Sequence, residues 1–150
     1  MPKLTLCRGP SGSGKSTLAL KLAKEKNGVA VAADDFFTHD DGTYKWTGKL
    51  IAAAHQYSLG TAFYHLFRGK DVFVHNVFQS RWQCEPYIDF AHNNGYEWDI
   101  IEPTTKWKMD AAELAKRNTH GLSEQMIQKV IDGWESTKDL MKSFEKYRAE

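Results

Sequence analysis

Gly9-Pro10-Ser11-Gly12-Ser13-Gly14-Lys15-Ser16 follows the run Leu4-Thr5-Leu6-Cys7-Arg8 directly, and how this stretch is read decides the fold. It fits G-x-x-x-x-G-K-[ST], a spacing that carries chemistry only when a strand precedes it and a helix follows. Leu4 to Arg8 has strand length. Thr17 to Lys26 sets Leu18, Leu20, Leu22 and Ala23 among lysines and a glutamate, and Asn27-Gly28 is a helix stop. Glycines in such a loop let successive backbone N–H groups turn inward around phosphate oxygens, and the following helix aims its positive end at the same atoms. Gly12, Ser13, Gly14, Lys15, Ser16 and Thr17 are therefore the expected nucleotide contacts. Lys15 would reach the β and γ phosphates, and the Ser16 hydroxyl would hold Mg²⁺, which keeps several waters and takes few protein ligands. Thr17 would stand either against the α phosphate or with its hydroxyl on the helix. The implied ligand is Mg·ATP or a similar nucleotide.

Outward from this loop the chain keeps a βα rhythm. Val29 to Ala33 reads as the second strand, and a polar, turn-rich stretch runs from Thr38 to Gly48. Helical spacing returns in Leu50, Ala53, Ala54, Tyr57, Phe63, Leu66 and Phe67, closing near Gly69. Asp71 to Val77 is the third strand, Glu85 to Asn93 a helix opened by Pro86, and Tyr96 to Glu102 the fourth strand after Asn94-Gly95. Asp110 to Asn118, Ser123 to Trp134 and Thr137 to Arg148 read as three further helices. Strands joined by helical crossovers require a parallel sheet covered on both faces, with ligands at the carboxyl ends of the strands. The expected fold is α/β: a P-loop NTPase fold with a small parallel sheet of four or five strands, flanked by helices. Residues 1–150 would form one domain, with a helical lid at about 104–122.

Composition narrows the function. The 150 residues are 41% hydrophobic and 26% charged, with 20 Lys plus Arg against 19 Asp plus Glu, which suits one packed domain and excludes a disordered chain. A net charge of +1 gives no global field for a polyanion, so any such site must be local. Cys7 and Cys84 have no metal-ligand spacing, and a reducing cytoplasm is expected. The apolar run before Arg8 is too short for a signal peptide. Leu50 to Phe67 lacks formal charge, yet His55, Gln56, Ser58, Thr61 and His65 make it a helix in water, not a membrane span. Neither a membrane nor an obligate protein partner is expected.

The position of the acids separates the possible chemistries. A switch or motor NTPase carries an acid at the end of a later strand, whereas the third strand here ends in His75-Asn76. A guanine reader is also missing, since Thr105-Lys106-Trp107-Lys108 lacks its acid. Asp34 and Asp35 instead follow the second strand, at the sheet edge beside the phosphate loop, where an acceptor hydroxyl would lie. One carboxylate there can orient that hydroxyl and take its proton. Transfer also calls for a cation over the spreading charge of the phosphoryl group. Arg117, on the short helix before Thr119-His120-Gly121, is the candidate, with Lys116 its rival. His75 reads either as a neutral hydrogen-bonding group in the acceptor site or as a strand-end histidine facing solvent.

Gly9 to Thr17, Ala33-Asp34-Asp35-Phe36-Phe37 and Lys116-Arg117-Asn118-Thr119-His120-Gly121 together resemble P-loop polynucleotide 5′-kinases. Glu102-Pro103, Trp107-Lys108 and Glu113-Leu114-Ala115 bring the likeness close to the kinase-like domains of certain ubiquitin-ligase-binding proteins. The resemblance implies that Asp34 is the general base, Asp35 a supporting acid and Arg117 the lid arginine that contacts both cofactor and transferred phosphate. It implies transfer from Mg·ATP to a nucleic-acid hydroxyl, by default the 5′-OH of DNA or RNA. The chain departs from the family at His75-Asn76-Val77-Phe78-Gln79, where Val77-Phe78 replaces polar donors and is expected to rewrite the acceptor pocket. That departure keeps open a hydroxymethylated base within DNA, a nucleoside or small metabolite, and a non-catalytic nucleotide-gated module. His55 reads as a core histidine or a substrate contact. Trp46, Trp82 and Trp107 read first as core and second as base-stacking groups. Lys138, Lys142 and Lys146 would line one face of the last helix.

Overall fold

The computed structural model describes residues 1–148. Four strands, β1 (Lys3–Arg8), β2 (Val29–Val31), β3 (Val72–Asn76) and β4 (Glu97–Ile101), form one sheet in the order β2-β3-β1-β4. Every pairing is parallel, with Leu4 opposite Val72 and Trp98 and Leu6 opposite Val74 and Ile100. Side chains alternate across the sheet, and this fixes which helix each strand serves. Leu4, Leu6, Val72, Val74, Trp98 and Ile100 pack against α2 (Ile51–Phe67), α3 (Arg81–Asn93) and α6 (Thr137–Ser143). Cys7 and Phe73 point the other way, onto Ala19 and Ala23 of α1 (Lys15–Lys26). The same alternation sends His75 to the α1 side and Asn76 to the α2 side. Neighbours in sequence therefore serve different parts of the site.

The segment expected to form a lid holds turns at 106–109 and α4 (Ala111–Arg117), which packs Ala111 and Leu114 against Ile127 of α5 (Glu124–Asp132). Asp110 and Ser123 cap these two helices through the N–H groups of Glu113 and Met126. Among the described residues no helix is long and apolar enough to cross a membrane. Both cysteines are buried, and burial pushes each thiol up to about 12.

Several expected boundaries move. The second strand stops at Val31, and Ala33–Phe37 forms a 3₁₀ helix instead of extending the strand. The third helix starts at Arg81, not near Pro86. The Gln83 side chain reaches back to the Ser80 N–H at 3.2 Å, starting the helix before the proline and leaving Pro86 inside it. The helix expected over Thr137 to Arg148 breaks at Phe144, whose buried ring stacks edge-on against Trp98, and α7 (Glu145–Arg148) follows. Lys138, Lys142 and Lys146 thus share no continuous helix face. Val77-Phe78 also departs from its expected place. Phe78 adopts a left-handed φ of 49° and is 3% exposed, packed edge-on against Tyr87 in the core. It does not wall an acceptor pocket.

The unusual Phe78 backbone is explained by Arg8, which is completely buried. Its Nε donates to the Phe78 carbonyl at 2.9 Å, and its terminal nitrogens donate to the carbonyls of Gln79 and Glu135 at 3.0 and 2.6 Å. Trp134 covers the guanidinium face at 4.1 Å. A left-handed L-residue costs about 1–2 kcal/mol, and here it turns a carbonyl onto a buried cation that needs acceptors. This knot ties the end of β1 to the segment entering α6.

Candidate functional site

The loop between β1 and α1 is shaped for a ligand. Gly12 and Gly14 have φ of 86° and 99°, conformations that an L side chain resists. A Cβ on Gly9 would lie 2.3 Å from Ser13 Oγ, and one on Gly12 would come within 3.0 Å of the Leu114 carbonyl and the Asn118 N–H. The loop and the end of α4 are therefore in backbone contact. Residues at the base of the lid fix the loop carbonyls: Thr105 Oγ1 donates to Ser13 at 2.7 Å and Trp107 Nε1 to Gly12 at 3.1 Å. The first α1 bond runs from the Leu18 N–H to the Gly14 carbonyl, which leaves the first-turn N–H groups of Lys15, Ser16 and Thr17 to a ligand. Ser13 Oγ is fully buried with no partner. An open cleft of ≈ 370 Å³ is lined by Gly12, Gly14, Lys15, Ser16, Thr17, Trp107, Arg117 and Thr119.

This cradle fits a polyphosphate. Burial lowers the Lys15 ammonium pKa from its ordinary value, against which the Asp34 charge pulls upward; an anion in the cleft would favour the charged form further. Ser16 offers a hydroxyl oxygen, a hard donor suited to Mg²⁺ completed by phosphate oxygens and water. Among the described residues no group of three His, Cys, Asp or Glu is placed to hold a metal, so a cation here would depend on Ser16 and the nucleotide. His75 Nδ1 lies 3.0 Å from Ser16 Oγ. Burial and the Lys15 charge lower the His75 pKa to about 4. In the tautomer protonated at Nε2, neutral His75 accepts a hydrogen bond from the Ser16 hydroxyl and leaves the oxygen lone pairs to a cation. His75 is therefore half-buried beside Ser16 and is not a strand-end histidine simply facing solvent.

The acids sit on the 3₁₀ turn, which Asn76 holds in place. Asn76 Oδ1 accepts the Ala33 N–H at 2.8 Å, and its Nδ2 donates to Ser58 Oγ at 3.2 Å. Asp35 caps the same turn by accepting the Ala32 N–H at 3.2 Å, and partial burial raises its pKa. Its carboxylate is thereby engaged with backbone. Asp34 projects outward, each of its two oxygens beside a different side chain. Tyr44 Oη donates to Oδ1 at 3.1 Å, and His120 Nε2 approaches Oδ2 at 3.3 Å. The Tyr44 and His120 rings lie 4.8 Å apart. Burial and the adjacent Asp34 charge push the Tyr44 phenol up to about 12, so it remains a donor at neutral pH.

Arg117 lines the cleft but rests on the lid: it bonds Glu113 at 2.8 Å and stacks on Trp107 at 3.6 Å. Lys15, Ser16, Thr17 and Arg117 thus share one cleft, and Asp34 lies near enough for its charge to act on Lys15 and His75. His55 is exposed on α2 and is not a core histidine. Trp46 and Trp82 are 57% and 72% exposed, which overturns the core reading for both, while Trp107 belongs to the lid. Sequence reasoning missed Tyr44, Asn76, Thr105 and His120 as site residues. Asn76, Thr105 and His120 stood within quoted stretches but were given no part in the site, and Tyr44 lies in a turn-rich stretch that carried no site motif.

Residues 4–140 match the AAA domain family model. Human NEDD4-binding protein 2 is 33% identical over 135 residues, which cover 88% of this chain and 8% of that protein. The chain thus spans under a tenth of that relative's length. The structure of the Pnkp1/Rnl/Hen1 RNA repair complex contains a chain that aligns with a TM-score of 0.66 and 22% identity, covering 92% of this chain and 45% of that one. An unliganded sugar kinase from Janibacter sp. HTCC2649 aligns with a TM-score of 0.62 and 13% identity, covering 99% and 95% of the two chains. At these identities the two structures establish shared architecture. With the family match and the loop geometry, they lead to one conclusion: this chain is a P-loop kinase-like member of the AAA domain family.

Proposed function

We propose that the chain is a phosphotransferase that moves the γ-phosphate of Mg·ATP to a hydroxyl of a nucleic acid, by default the 5′-OH of DNA or RNA. The observation that carries this reading is Asp34, oriented at both oxygens by Tyr44 and His120 beside the cleft of Lys15 and Ser16. An outward carboxylate fixed at that edge is suited to receive a proton and is not needed for nucleotide binding alone. In this mechanism the loop N–H groups and Lys15 seat the phosphates, and Ser16 would hold the cation while its hydroxyl donates a hydrogen bond to His75. Asp34 orients the acceptor hydroxyl and takes its proton as the oxygen–phosphorus bond forms and the bond to the leaving oxygen breaks. A magnesium ion held through the Ser16 hydroxyl would supply positive charge against the phosphates. Arg117 leaves Glu113 and Trp107 to meet the transferring group.

The family match and the fold shared with a chain of the RNA repair complex support the kinase-like architecture on which this reading stands. A transfer assay tests it directly: Mg·ATP with a 5′-hydroxyl oligonucleotide, one carrying a hydroxymethylated base, or free nucleosides, with mass detection of the product. Phosphate on the 5′ end that is lost in Asp34→Asn is the expected result. Labelling confined to a base hydroxyl or a nucleoside would replace the acceptor; transfer to none of them would leave a nucleotide-gated binding module.

A further inference from the structure

Through Tyr44, Asp34 adjoins a strip of aromatic rings, the rest of which no step above uses. Phe36 lies 5.3 Å from Phe37 and 6.1 Å from Tyr57 of α2, and Phe37 lies 6.2 Å from Tyr44 and 6.4 Å from Trp46. Phe37 is buried and anchors the others, whereas Phe36, Tyr57 and Trp46 remain 37%, 42% and 57% exposed. The Trp46 indole is also braced, because a Cβ on Gly48 would come within 3.2 Å of its Cη2. Phe36, Trp46 and Tyr57 thus leave ring surface to solvent around buried Phe37, and half-buried Tyr44, packed on Phe37 and His120, links them to Asp34.

We propose that the exposed rings of this strip, Phe36, Trp46 and Tyr57, are a stacking platform for the nucleobase of the acceptor nucleotide. The proposal rests on the phosphotransferase reading and names the substrate class that the site selects. A base presents a flat π face to each exposed ring, and stacking of this kind tolerates any base. Lys45 and Lys49 flank Trp46 in sequence and are exposed, the interleaving of rings and cations that a single-stranded backbone requires. Asp40 and Asp41 lie at the far tip of the hairpin, where Asp41 is engaged with the Thr43 N–H. A sugar or polyol would instead call for convergent polar side chains, and the Tyr44 hydroxyl is already committed to Asp34. The acceptor is therefore an unpaired nucleotide whose ring lies on the strip with its hydroxyl at Asp34.

Binding of a labelled 5′-hydroxyl hexadeoxythymidylate, in Mg²⁺ and a non-hydrolysable ATP analogue, is compared with the same strand made abasic at its first nucleotide. Removing the base is expected to weaken binding by about 5- to 150-fold. Trp46→Ala and Tyr57→Ala should each lose part of that factor on the intact strand and lose little more on the abasic one, while Trp46→Phe retains most of it. Both positions are well exposed, so the fold should survive, as thermal melting will verify. Equal affinity for the two strands, or equal losses on both in the variants, would overturn the platform. So would a concentration-dependent dimer that Trp46→Ala dissociates, because the strip would then cover a second copy. Base-independent transfer to the 5′-OH removes the platform and leaves the phosphotransferase reading standing. Base-dependent binding without transfer to any hydroxyl does the reverse.

Discussion

The phosphate side and the acceptor side of the cleft are built by different means. The first is made of backbone: left-handed glycines, the start of α1, and carbonyls pinned by Thr105 and Trp107. The second is made of side chains from three separate segments, with Asp34 on a 3₁₀ turn, Tyr44 on a hairpin ten residues later and His120 in the loop after α4. A backbone site is determined locally, because each φ belongs to one residue and its neighbours. A side-chain site exists only after the segments meet, so it is more exposed and more readily rearranged. On this view, perturbing the phosphate side changes what binds, and perturbing the acceptor side changes what reacts.

Arg117 crosses the division and should show the largest effect. Its guanidinium lines the phosphate cleft from a helix that is continuous with the His120 loop. Arg117→Ala is expected to lower the single-turnover transfer rate by about 10³- to 10⁵-fold, the range for an arginine that meets phosphoryl charge. Titration with a fluorescent ATP analogue should change far less. If nucleotide affinity falls as steeply as the rate, Arg117 acts by holding the donor, and the comparison loses its bridge.

Asp34→Asn tests the acceptor side by itself. The amide keeps the shape of the carboxylate and loses its basicity, so kcat should fall by about 10²- to 10⁴-fold with nucleotide affinity close to that of the wild type. Asn76 then tests what supports this side. Asn76→Ala strips a buried acceptor from the Ala33 N–H and a donor from Ser58, at a cost of about 1–3 kcal/mol in urea unfolding. Loosening the 3₁₀ turn should also lower kcat while ATP analogue affinity holds. Equal loss of both would mean that the turn supports the whole cleft.

The same division accounts for what could be read from the sequence. The loop, α1 and the four parallel strands were legible because glycine spacing and short apolar runs are local signals. Asp34 and Arg117 were legible as candidates through the spacing of acids and lid around that loop. The Tyr44 contact was not, since nothing in Thr38 to Gly48 marks one tyrosine for a carboxylate ten residues earlier. Phe78 was misplaced for a related reason. Its position after β3 suggested the pocket, yet buried Arg8 at the end of the neighbouring strand draws its carbonyl inward, and the ring follows into the core. Trp46 and Trp82 show the converse, since hydrophobicity alone favoured burial and both rings face out. The boundary at Pro86 gave way to a cap at Ser80 that begins the helix one turn sooner.

The smallest expected effect lies where the two sides touch, at His75. Its pKa falls to about 4, first from burial and then from the Lys15 charge, with Asp34 opposing. Above the ordinary histidine pKa of about 6.5, neither the folded nor the unfolded chain protonates this ring, and it contributes no pH dependence. Between that value and about 4 the unfolded chain binds a proton that the folded chain refuses, so folding stability declines as the pH falls. For a single proton the slope reaches at most about 1.4 kcal/mol per pH unit. Urea unfolding of the nucleotide- and metal-free protein at pH 7, 6 and 5 should therefore show wild type losing stability faster than His75→Gln, which has no proton to bind. The difference should be nearly flat from pH 7 to 8. Parallel profiles would mean that the ring is hydrated enough to protonate in place, and the Ser16 hydroxyl would then lose its neutral acceptor in mild acid.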